Sequence, residues 1–206
     1  MKITNSKKKF LYIISPNKIE PSFYKNLKDI LSLNSTSFFQ LRLKNTSKKK
    51  IVFLGKKIKR ICKLFNVKFL VNDDPYLAKK IDADGCHLGQ KDKSIVEARK
   101  ILGNKIIGIT CHNSLKLAKN AIKNNADYVA LGAFYNTKTK KVKFKASTSS
   151  IKRIKKLSKI PIVAIGGINN DNYKNLLLNK ANFLAISGYI FNNIKYKPFE
   201  ATKKLK

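Results

Sequence analysis

Acidic residues are scarce in this chain, which has 11 Asp and Glu among its 206 residues against 45 Lys and Arg. The resulting formal charge of +34 predicts partners that carry negative charge, such as phosphates, nucleic acid or an anionic surface. The basic residues are nearly all lysines spread along the whole chain, whereas a dedicated nucleic-acid binder gathers Arg and aromatic residues on one patch. We therefore expect small phosphorylated molecules as partners. The abundance of Lys, Asn and Ile also indicates a genome poor in G and C, in which drift could produce much of the charge.

Paired cysteines and long apolar runs are absent too. Cys62, Cys86 and Cys111 have neither a CxxC pair nor the spacing of a metal site. Their odd number, with no signal peptide at the start of the sequence, favours the reducing cytoplasm. No run of about 18 apolar residues occurs, so we expect no membrane-spanning helix. No GxGxxG motif follows the first apolar run, which argues against a dinucleotide-binding fold.

Short apolar runs alternate with stretches of helical spacing along most of the chain. The predicted strands are 10–15, 38–43, 68–72, 85–89, 106–110, 128–134, 160–167 and 183–190. The predicted helices with the clearest pattern are 94–102, 114–124, 149–158 and 170–179. The predicted N-caps are Ser94, Ser114 and either Asn169 or Asn170.

The predicted strands read as continuous apolar runs, which is typical of parallel strands buried on both faces. Eight strands that alternate with helices predict an α/β protein with a single (β/α)8 TIM barrel, forming one domain over residues 1–206. An open doubly wound sheet is the structural alternative. The active site of a TIM barrel lies at the C-terminal ends of its strands. Polar residues at those ends are therefore expected to share one rim: Gln40, Arg42, Lys44, Asn72, Asp73, Asp74, Gln90, Asp92, Thr110, His112, Thr137, Thr139 and Lys140.

The scarce carboxylates gather in one stretch, "NDDPYLAKKIDADGCHLGQKD" at 72–92, which holds five of the 11 acidic residues. Two carboxylates from adjacent strands can hold one Mg²⁺, which prefers oxygen ligands and completes its shell with water and substrate phosphate. Asp73 and Asp92 fit that role. The "NDDP" stretch also fits an ordinary helix N-cap. The acidic residues that precede strands, at the opposite end of the barrel, are expected to be structural: Asp82, Asp84 and Asp127. His87, inside its strand, is expected to be structural as well.

A second anion site is predicted apart from the phosphate that would contact Mg²⁺. Gly166-Gly167 after the seventh strand and Ser187-Gly188 after the eighth match the phosphate site common in this fold, where backbone N–H groups and a helix N-terminus meet an anion. Arg42, Lys44 and Lys140 would neutralise phosphate oxygens at the first site. The ordinary alternatives are a tight turn for the glycine pair and a solvated loop for "TKTKK".

Taken together, the segments "FFQLRLK", "VNDDPYLAKKIDADGCHLGQKD", "IIGITCHNS", "DYVALGAFYNTKTKK", "IPIVAIGGI" and "FLAISGYI" resemble the thiamine phosphate synthase family in order and spacing, over about residues 10–190. The resemblance implies a transferase that joins 4-amino-2-methyl-5-hydroxymethylpyrimidine diphosphate to 4-methyl-5-(2-phosphoethyl)thiazole, with or without a carboxylate. The products would be thiamine phosphate and pyrophosphate. A homo-oligomer is compatible with the sequence.

The resemblance also implies roles for individual residues. Those implied for the pyrimidine diphosphate are Gln40, Leu41, Arg42, Leu43, Lys44, Asn72, Thr110 and Lys140, with Arg42, Lys44 and Lys140 as the catalytic ones. Those implied for the thiazole phosphate are Thr137, Lys138, Thr139, Gly167, Ile186 and Ser187. Asp73 and Asp92 would hold Mg²⁺. The chain departs from the family pattern at Thr110, where many members have Ser, at Asn136 in place of Pro, and in the stretch "KVKFKAS".

The implied chemistry agrees with what the sequence contains. Pyrophosphate leaves readily once a metal and cations stabilise its charge, and the neutral thiazole nitrogen loses no proton when it attacks. A strong general base is therefore unnecessary, and the chain has only two histidines and no evident triad. The sister family of thiazole tautomerases, which would use a His on the fifth strand such as His112, is one rival. A nucleic-acid-binding protein is the rival from another class.

Overall fold

The computed structural model describes residues 9–137 and 144–205. Its eight strands are all parallel and pair in sequence order into a closed barrel, in which the first strand also pairs with the last. The strands are β1 (Leu11–Ile14), β2 (Thr36–Leu41), β3 (Lys68–Asn72), β4 (Gly85–Leu88), β5 (Ile106–His112), β6 (Tyr128–Gly132), β7 (Ile162–Ile165) and β8 (Phe183–Ile186). The predicted TIM barrel is confirmed, and the open-sheet alternative is wrong.

Helices follow the strands on the outside of the barrel. They are α1 (Phe23–Ser32), α2 (Lys48–Leu64), α3 (Pro75–Ile81), α4 (Ile95–Leu102), α5 (Leu115–Lys123), α6 (Thr148–Leu157), α7 (Tyr173–Leu178), α8 (Gly188–Phe191) and α9 (Pro198–Lys203). Among the residues described, none of these helices is long and apolar enough to cross a membrane. That residues 1–206 form one domain stays a prediction.

Side-chain caps begin several of the helices. Ser94 begins α4 through a capping box, in which its hydroxyl accepts from the Glu97 N–H and the Glu97 carboxylate accepts from the Ser94 N–H. The Ser114 hydroxyl likewise accepts from the Leu117 N–H at the start of α5. Both predicted caps are confirmed.

The third predicted cap is wrong, because α7 begins later than its apolar pattern indicated. The N-cap of α7 is Asn172, and neither Asn169 nor Asn170 occupies that position. The Asn169 side chain instead accepts the N–H groups of Asp171 and Asn172, which closes a turn before the helix. Asn side chains compete with helix formation in this way because they bond to backbone groups two or three residues on.

The hydrophobic core has two parts. The larger part lies between the strands and the helices, and the smaller part lies inside the barrel around Tyr12, Leu70, Tyr128 and Val163. The Tyr128 ring lies where a side chain at Gly108 on the neighbouring strand would be, so a glycine is required there. Tyr12 and Tyr128 bring hydroxyl groups into this otherwise apolar interior. Both hydroxyls form hydrogen bonds with residues of the site described below.

The lower end of the barrel, where the strands begin, is fastened by a repeated contact. The residue immediately before an even-numbered strand accepts a backbone N–H from the start of the preceding odd-numbered strand. Three such contacts occur in the described chain: Asp84 with Phe69 N at 2.8 Å, Asp127 with Ile107 N at 2.7 Å, and Asn182 with Ile162 N at 2.9 Å. The expectation that Asp84 and Asp127 are structural is confirmed. Asp82 ends α3 and contacts the ammonium groups of Lys59 and Lys105 at 2.6 and 2.5 Å.

Candidate active site

One cavity of about 350 Å³ opens at the C-terminal ends of the strands. It gathers side chains and backbone from positions that lie far apart in the sequence. The predicted site residues that line it are Gln40, Arg42, Lys44, Asn72, Asp73, Thr110, Thr137, Gly167, Ile186 and Ser187. The predicted common rim is therefore present among the described residues, with cations, a carboxylate and glycine turns facing one space.

The remaining predicted residues lie elsewhere. Leu41 is 2 % exposed and belongs to the core between strands and helices, and Leu43 packs against the same core. Their side chains face away from the cavity, because neighbouring residues in an extended chain point in opposite directions. Lys138, Thr139 and Lys140 lie outside the described residues. Asp92 does not line the cavity wall, but it lies beside Asp73, which does.

The two interpretations of "NDDP" apply to two different residues. Asp74 is the N-cap of α3, and its carboxylate accepts the N–H groups of Tyr76 and Leu77 at 2.9 and 3.1 Å. Asp73 has a left-handed backbone with φ of 67°, which turns its side chain toward the cavity. There its carboxylate meets the Lys44 ammonium group at 2.8 Å. Asp74 thus starts the helix, while Asp73 is available to the site.

Asp73 and Asp92, which follow neighbouring strands β3 and β4, form a pair of like charges. The Asp92 carboxylate accepts the Gly89 N–H at 2.6 Å. Burial raises the pKa of Asp92, and the nearby negative charge of Asp73 raises it further, while the Gly89 N–H and Lys44 act in the opposite direction. A divalent cation would relieve this repulsion. Within 9–137 and 144–205, no group of three or more His, Cys, Asp or Glu side chains could hold a metal. A cation here would complete its shell with water and substrate oxygens.

Six side chains form a hydrogen-bonded series across the floor of the cavity, which we call the polar chain. In order along the series they are Asn72, Gln40, Tyr12, Tyr128, His87 and Thr110. Burial lowers the pKa of His87 from 6.5 to about 4, against a smaller opposing effect of Asp73. His87 is therefore neutral near pH 7, and both ring nitrogens have hydrogen-bond partners. The expectation that His87 lies within its strand is confirmed, but His87 also lines the cavity.

Sequence reasoning missed several residues at this site. Tyr12 and Tyr128 look like ordinary members of apolar strands, and the only available signal was a hydroxyl group in an otherwise apolar run. Ser15, directly after β1, accepts the Arg42 N–H at 2.9 Å through its hydroxyl. Asn17 accepts from the Arg42 guanidinium at 3.2 Å. Ser15 was visible as the polar last residue of the first predicted strand, and Asn17 as a polar residue shortly after it.

His112 and Phe144 form an aromatic wall on the β5–β6 side of the cavity. Their ring centroids are 4.4 Å apart, and both residues line the cavity. His112 was expected near the mouth, while Phe144 belongs to the "KVKFKAS" stretch that departs from the family pattern. The flat face that they offer suits a planar ring.

The glycine pair after β7 brings two loops into direct contact. Gly166 and Gly167 have φ of 104° and 64°, which favour glycine. A Cβ atom on Gly167 would collide with the backbone carbonyl of Asn136 in the loop after β6. The Asn172 side chain holds the turn by donating to the Gly167 carbonyl at 3.0 Å. The tight turn and the anion cradle are thus compatible interpretations of one segment.

A closed (β/α)8 barrel whose mouth combines cations, adjacent carboxylates and glycine turns is typical of enzymes that act on phosphorylated substrates. The family model for thiamine monophosphate synthase matches residues 11–190. The chain belongs to this family, and the resemblance inferred from its motifs is confirmed.

Relatives agree with the family match. A thiamine-phosphate synthase of Pelagibacter ubique is 63% identical to this chain over 100% of both sequences. A thiamine-phosphate synthase of Marinobacter nauticus is 38% identical and covers 88% of this chain and 82% of its own length. Among solved structures, a thiamine phosphate pyrophosphorylase from Pyrococcus furiosus superimposes with a TM-score of 0.85 at 30% identity, over 96% of this chain and 94% of that one.

Proposed function

We propose that this chain catalyses the reaction for which its family is named, the formation of thiamine phosphate from a pyrimidine diphosphate and a thiazole phosphate. The observation that carries the proposal is the shared cavity at the strand ends, where Arg42, Lys44, Asp73 and the Gly166-Gly167 turn face one space. The full-length identity of 63% to the Pelagibacter ubique synthase supports it. The chain is thus a transferase, and its substrates are small phosphorylated molecules.

The diphosphate end of the pyrimidine substrate is assigned to the cationic side of the cavity. Arg42 offers a planar guanidinium that can bind two phosphate oxygens at once, and Asn17 holds it in place. Lys44 contributes a second positive charge beside Asp73. Lys140 is proposed as a third cation, although it lies outside the described residues. The pyrimidine ring itself is assigned to the floor formed by Gln40, Asn72 and Thr110.

Mg²⁺ is proposed as the metal, held by Asp73 and Asp92. The fit rests on the raised pKa of Asp92, because two adjacent carboxylates that repel each other gain from a hard cation between them. When bound, Mg²⁺ supplies positive charge to the departing diphosphate. Lys44 offsets part of the negative charge of Asp73, so the pair can be maintained when the metal is absent.

The thiazole phosphate is assigned to the opposite side of the cavity. Thr137, Gly167, Ile186 and Ser187 line that side. Backbone N–H groups of a glycine turn and of a helix start can donate hydrogen bonds to the phosphate oxygens of an anion. Lys138 and Thr139, proposed for the same substrate, lie outside the described residues.

The reaction needs separation of charge more than proton transfer. The bond between the pyrimidine methylene and the diphosphate oxygen breaks, and its electron pair leaves with the diphosphate. The electron-rich aminopyrimidine supports the positive methylene until the thiazole nitrogen donates its lone pair to form the new bond. No proton leaves the nitrogen, so the residues contribute position and electrostatics. The neutral, doubly hydrogen-bonded His87 agrees with a site that has no general base.

An assay of the purified protein with both precursors and Mg²⁺ tests this proposal. We expect one pyrophosphate for each thiamine phosphate, no product when either precursor is omitted, and loss of turnover with a chelator that added Mg²⁺ restores. Isomerisation of a thiazole without pyrophosphate release would support the tautomerase rival. Failure of all turnover, combined with salt-dependent binding of RNA or DNA, would support the nucleic-acid rival.

Location and assembly stay predictions. Three free, buried cysteines are compatible with the reducing cytoplasm. Burial raises the pKa of Cys86 and Cys111 to about 12, so neither thiol is a nucleophile near pH 7.

A further inference from the structure

We propose that the polar chain fixes which hydrogen-bonding groups the cavity offers to the pyrimidine ring, with Asn72 as a donor at one end and Thr110 as an acceptor at the other. Tyr12, Tyr128 and His87 are the positioning residues that transmit this pattern. The identity of the ring rests on the proposed function, whereas the pattern of hydrogen-bond donors and acceptors rests on the geometry alone.

The middle of the polar chain is sealed inside the barrel. Tyr12 is 1 % exposed and Tyr128 is 2 % exposed, and neither lines the cavity. Their rings meet edge to face with centroids 5.9 Å apart, and their hydroxyl oxygens are 2.8 Å apart. Gly108 leaves the room that the Tyr128 ring occupies. Buried hydroxyls this constrained must satisfy one another, so their protons are ordered rather than free to rotate.

The direction of each hydrogen bond follows from the orientation of the Gln40 amide, which places its oxygen toward Tyr12 and its nitrogen toward Asn72, together with the number of protons available. Tyr12 donates its single hydroxyl proton to the Gln40 Oε1 atom at 2.8 Å. The proton between the two tyrosines must therefore come from Tyr128. The Tyr128 oxygen then accepts from His87 Nδ1, at 2.8 Å. A neutral imidazole carries one N–H, so His87 Nε2 accepts the proton of Thr110, at 2.9 Å.

The two ends of the polar chain differ as a result. The Thr110 hydroxyl uses its only proton on His87 and offers lone pairs to the cavity. At the other end, the Gln40 amide donates to the Asn72 Oδ1 atom, which leaves the Asn72 amide hydrogens for the cavity. A ring that carries an amino group and an unprotonated ring nitrogen complements this pattern. A ring with an oxo group in place of the amino group would place an acceptor against the Thr110 acceptor.

The tautomer of His87 tests the direction of the polar chain without any substrate. The ¹⁵N shifts of the imidazole ring report which nitrogen carries the proton, and the His112→Gln variant assigns the signals because the chain has only two histidines. We expect the Nδ1–H tautomer in the wild-type protein. An Nε2–H tautomer would reverse every bond in the series and overturn the proposal. Because this readout needs no turnover, it can fail or succeed independently of the proposed function.

Discrimination between rings provides the second test. In competition assays with the wild-type protein, the diphosphate of the 4-oxo analogue should bind at least about 100-fold more weakly than the 4-amino substrate, since sites that hydrogen-bond a substrate group reject its mismatch strongly. The Tyr128→Phe variant interrupts the polar chain. Its preference for the 4-amino over the 4-oxo diphosphate should therefore fall by about tenfold or more, chiefly through KM. Tyr12→Phe should do the same, which covers the case that one variant fails to fold.

Tyr173→Phe is the matched control, because Tyr173 is a buried tyrosine in the outer core, stacked on Phe10. It should leave both the ratio and the His87 tautomer unchanged. An unaltered ratio in folded Tyr128→Phe and Tyr12→Phe would overturn the positioning role. Equal loss of affinity for both rings would also overturn it, since a purely structural defect has that effect.

Discussion

The two ends of this barrel use the same residue type in opposite ways. At the lower end, Asp84 and Asp127 each accept a backbone N–H from a neighbouring strand, and each also lies near a cation: Lys68 at 3.5 Å and Arg99 at 2.8 Å. At the mouth, Asp73 and Asp92 lie beside each other, and the pKa of Asp92 is raised by burial and by its neighbour. Carboxylates at the lower end hold strands together, whereas the two at the mouth place negative charges side by side, which disfavours the ionised form of Asp92.

This difference separates carboxylates that stabilise the fold from carboxylates that are available to the site. A hydrogen bond to a charged group contributes about 1.5–3 kcal/mol, so the lower carboxylates strengthen the fold. Two like charges at the mouth weaken it, which is acceptable when a cation and a diphosphate bind there. The comparison leads to three predictions, of which the first two separate the two ends and the third concerns the cavity floor.

The largest effect is expected at the mouth. Asp92→Ala should lower kcat/KM with Mg²⁺ by about 100-fold or more, because half of the proposed metal pair is lost. Its free energy of unfolding should change by no more than about 0.5 kcal/mol, because loss of the exposed hydrogen bond from the Gly89 N–H is offset by relief of the repulsion from Asp73. Steady-state kinetics and urea denaturation measure the two quantities. Normal turnover in both Asp92→Ala and Asp73→Ala would contradict the metal assignment.

The opposite result is expected at the lower end. Asp127→Ala should lower the free energy of unfolding by about 2 kcal/mol, because the Ile107 N–H loses its acceptor and the Arg99 guanidinium loses its carboxylate partner. Its kcat/KM should stay within about twofold of the wild type, since Asp127, Ile107 and Arg99 are not among the described residues that line the cavity. Urea denaturation of this variant beside Asp92→Ala tests the comparison directly. A variant that is as stable as the wild type would remove the structural role of Asp127.

The smallest effect sharpens the picture of the cavity floor. His87 takes up a proton below about pH 6.5 when unfolded but only near pH 4 when folded, because burial disfavours its charged form. Unfolding therefore binds a proton in this window, and stability falls as the pH falls. Between about pH 7 and about pH 5.5 the loss from this group is about 1 kcal/mol.

His87→Gln is the control for that slope. The variant should be less stable at every pH, since Tyr128 and Thr110 lose their partner, but it should lack this part of the pH dependence. Denaturant midpoints of both proteins at the two pH values give the comparison. Equal slopes in the wild type and the variant would show that His87 does not remain neutral on folding.

Much of the fold could be predicted because its signals are local. The capping box at Ser94 is contained within four residues, and the strands appear as apolar runs wherever they are buried on both faces. The prediction failed at α7, where the short-range bonds of Asn169 competed with the helix. The sequence assigned Asp73 rather than Asp74 to the site, but the physical reason is visible only in the left-handed backbone of Asp73, because adjacent aspartates before a proline are otherwise equally good caps.

The sequence by itself determined the barrel, the strand ends that carry polar groups and the family to which the chain belongs, because apolar periodicity and short motifs depend on neighbouring residues. Only the tertiary structure decided which of those polar groups meet. Tyr12 and Tyr128 are 116 residues apart along the chain and 2.8 Å apart at their hydroxyls, and no local pattern encodes such a contact. Closing the barrel brings them together, because strands that are distant in sequence must then share one interior.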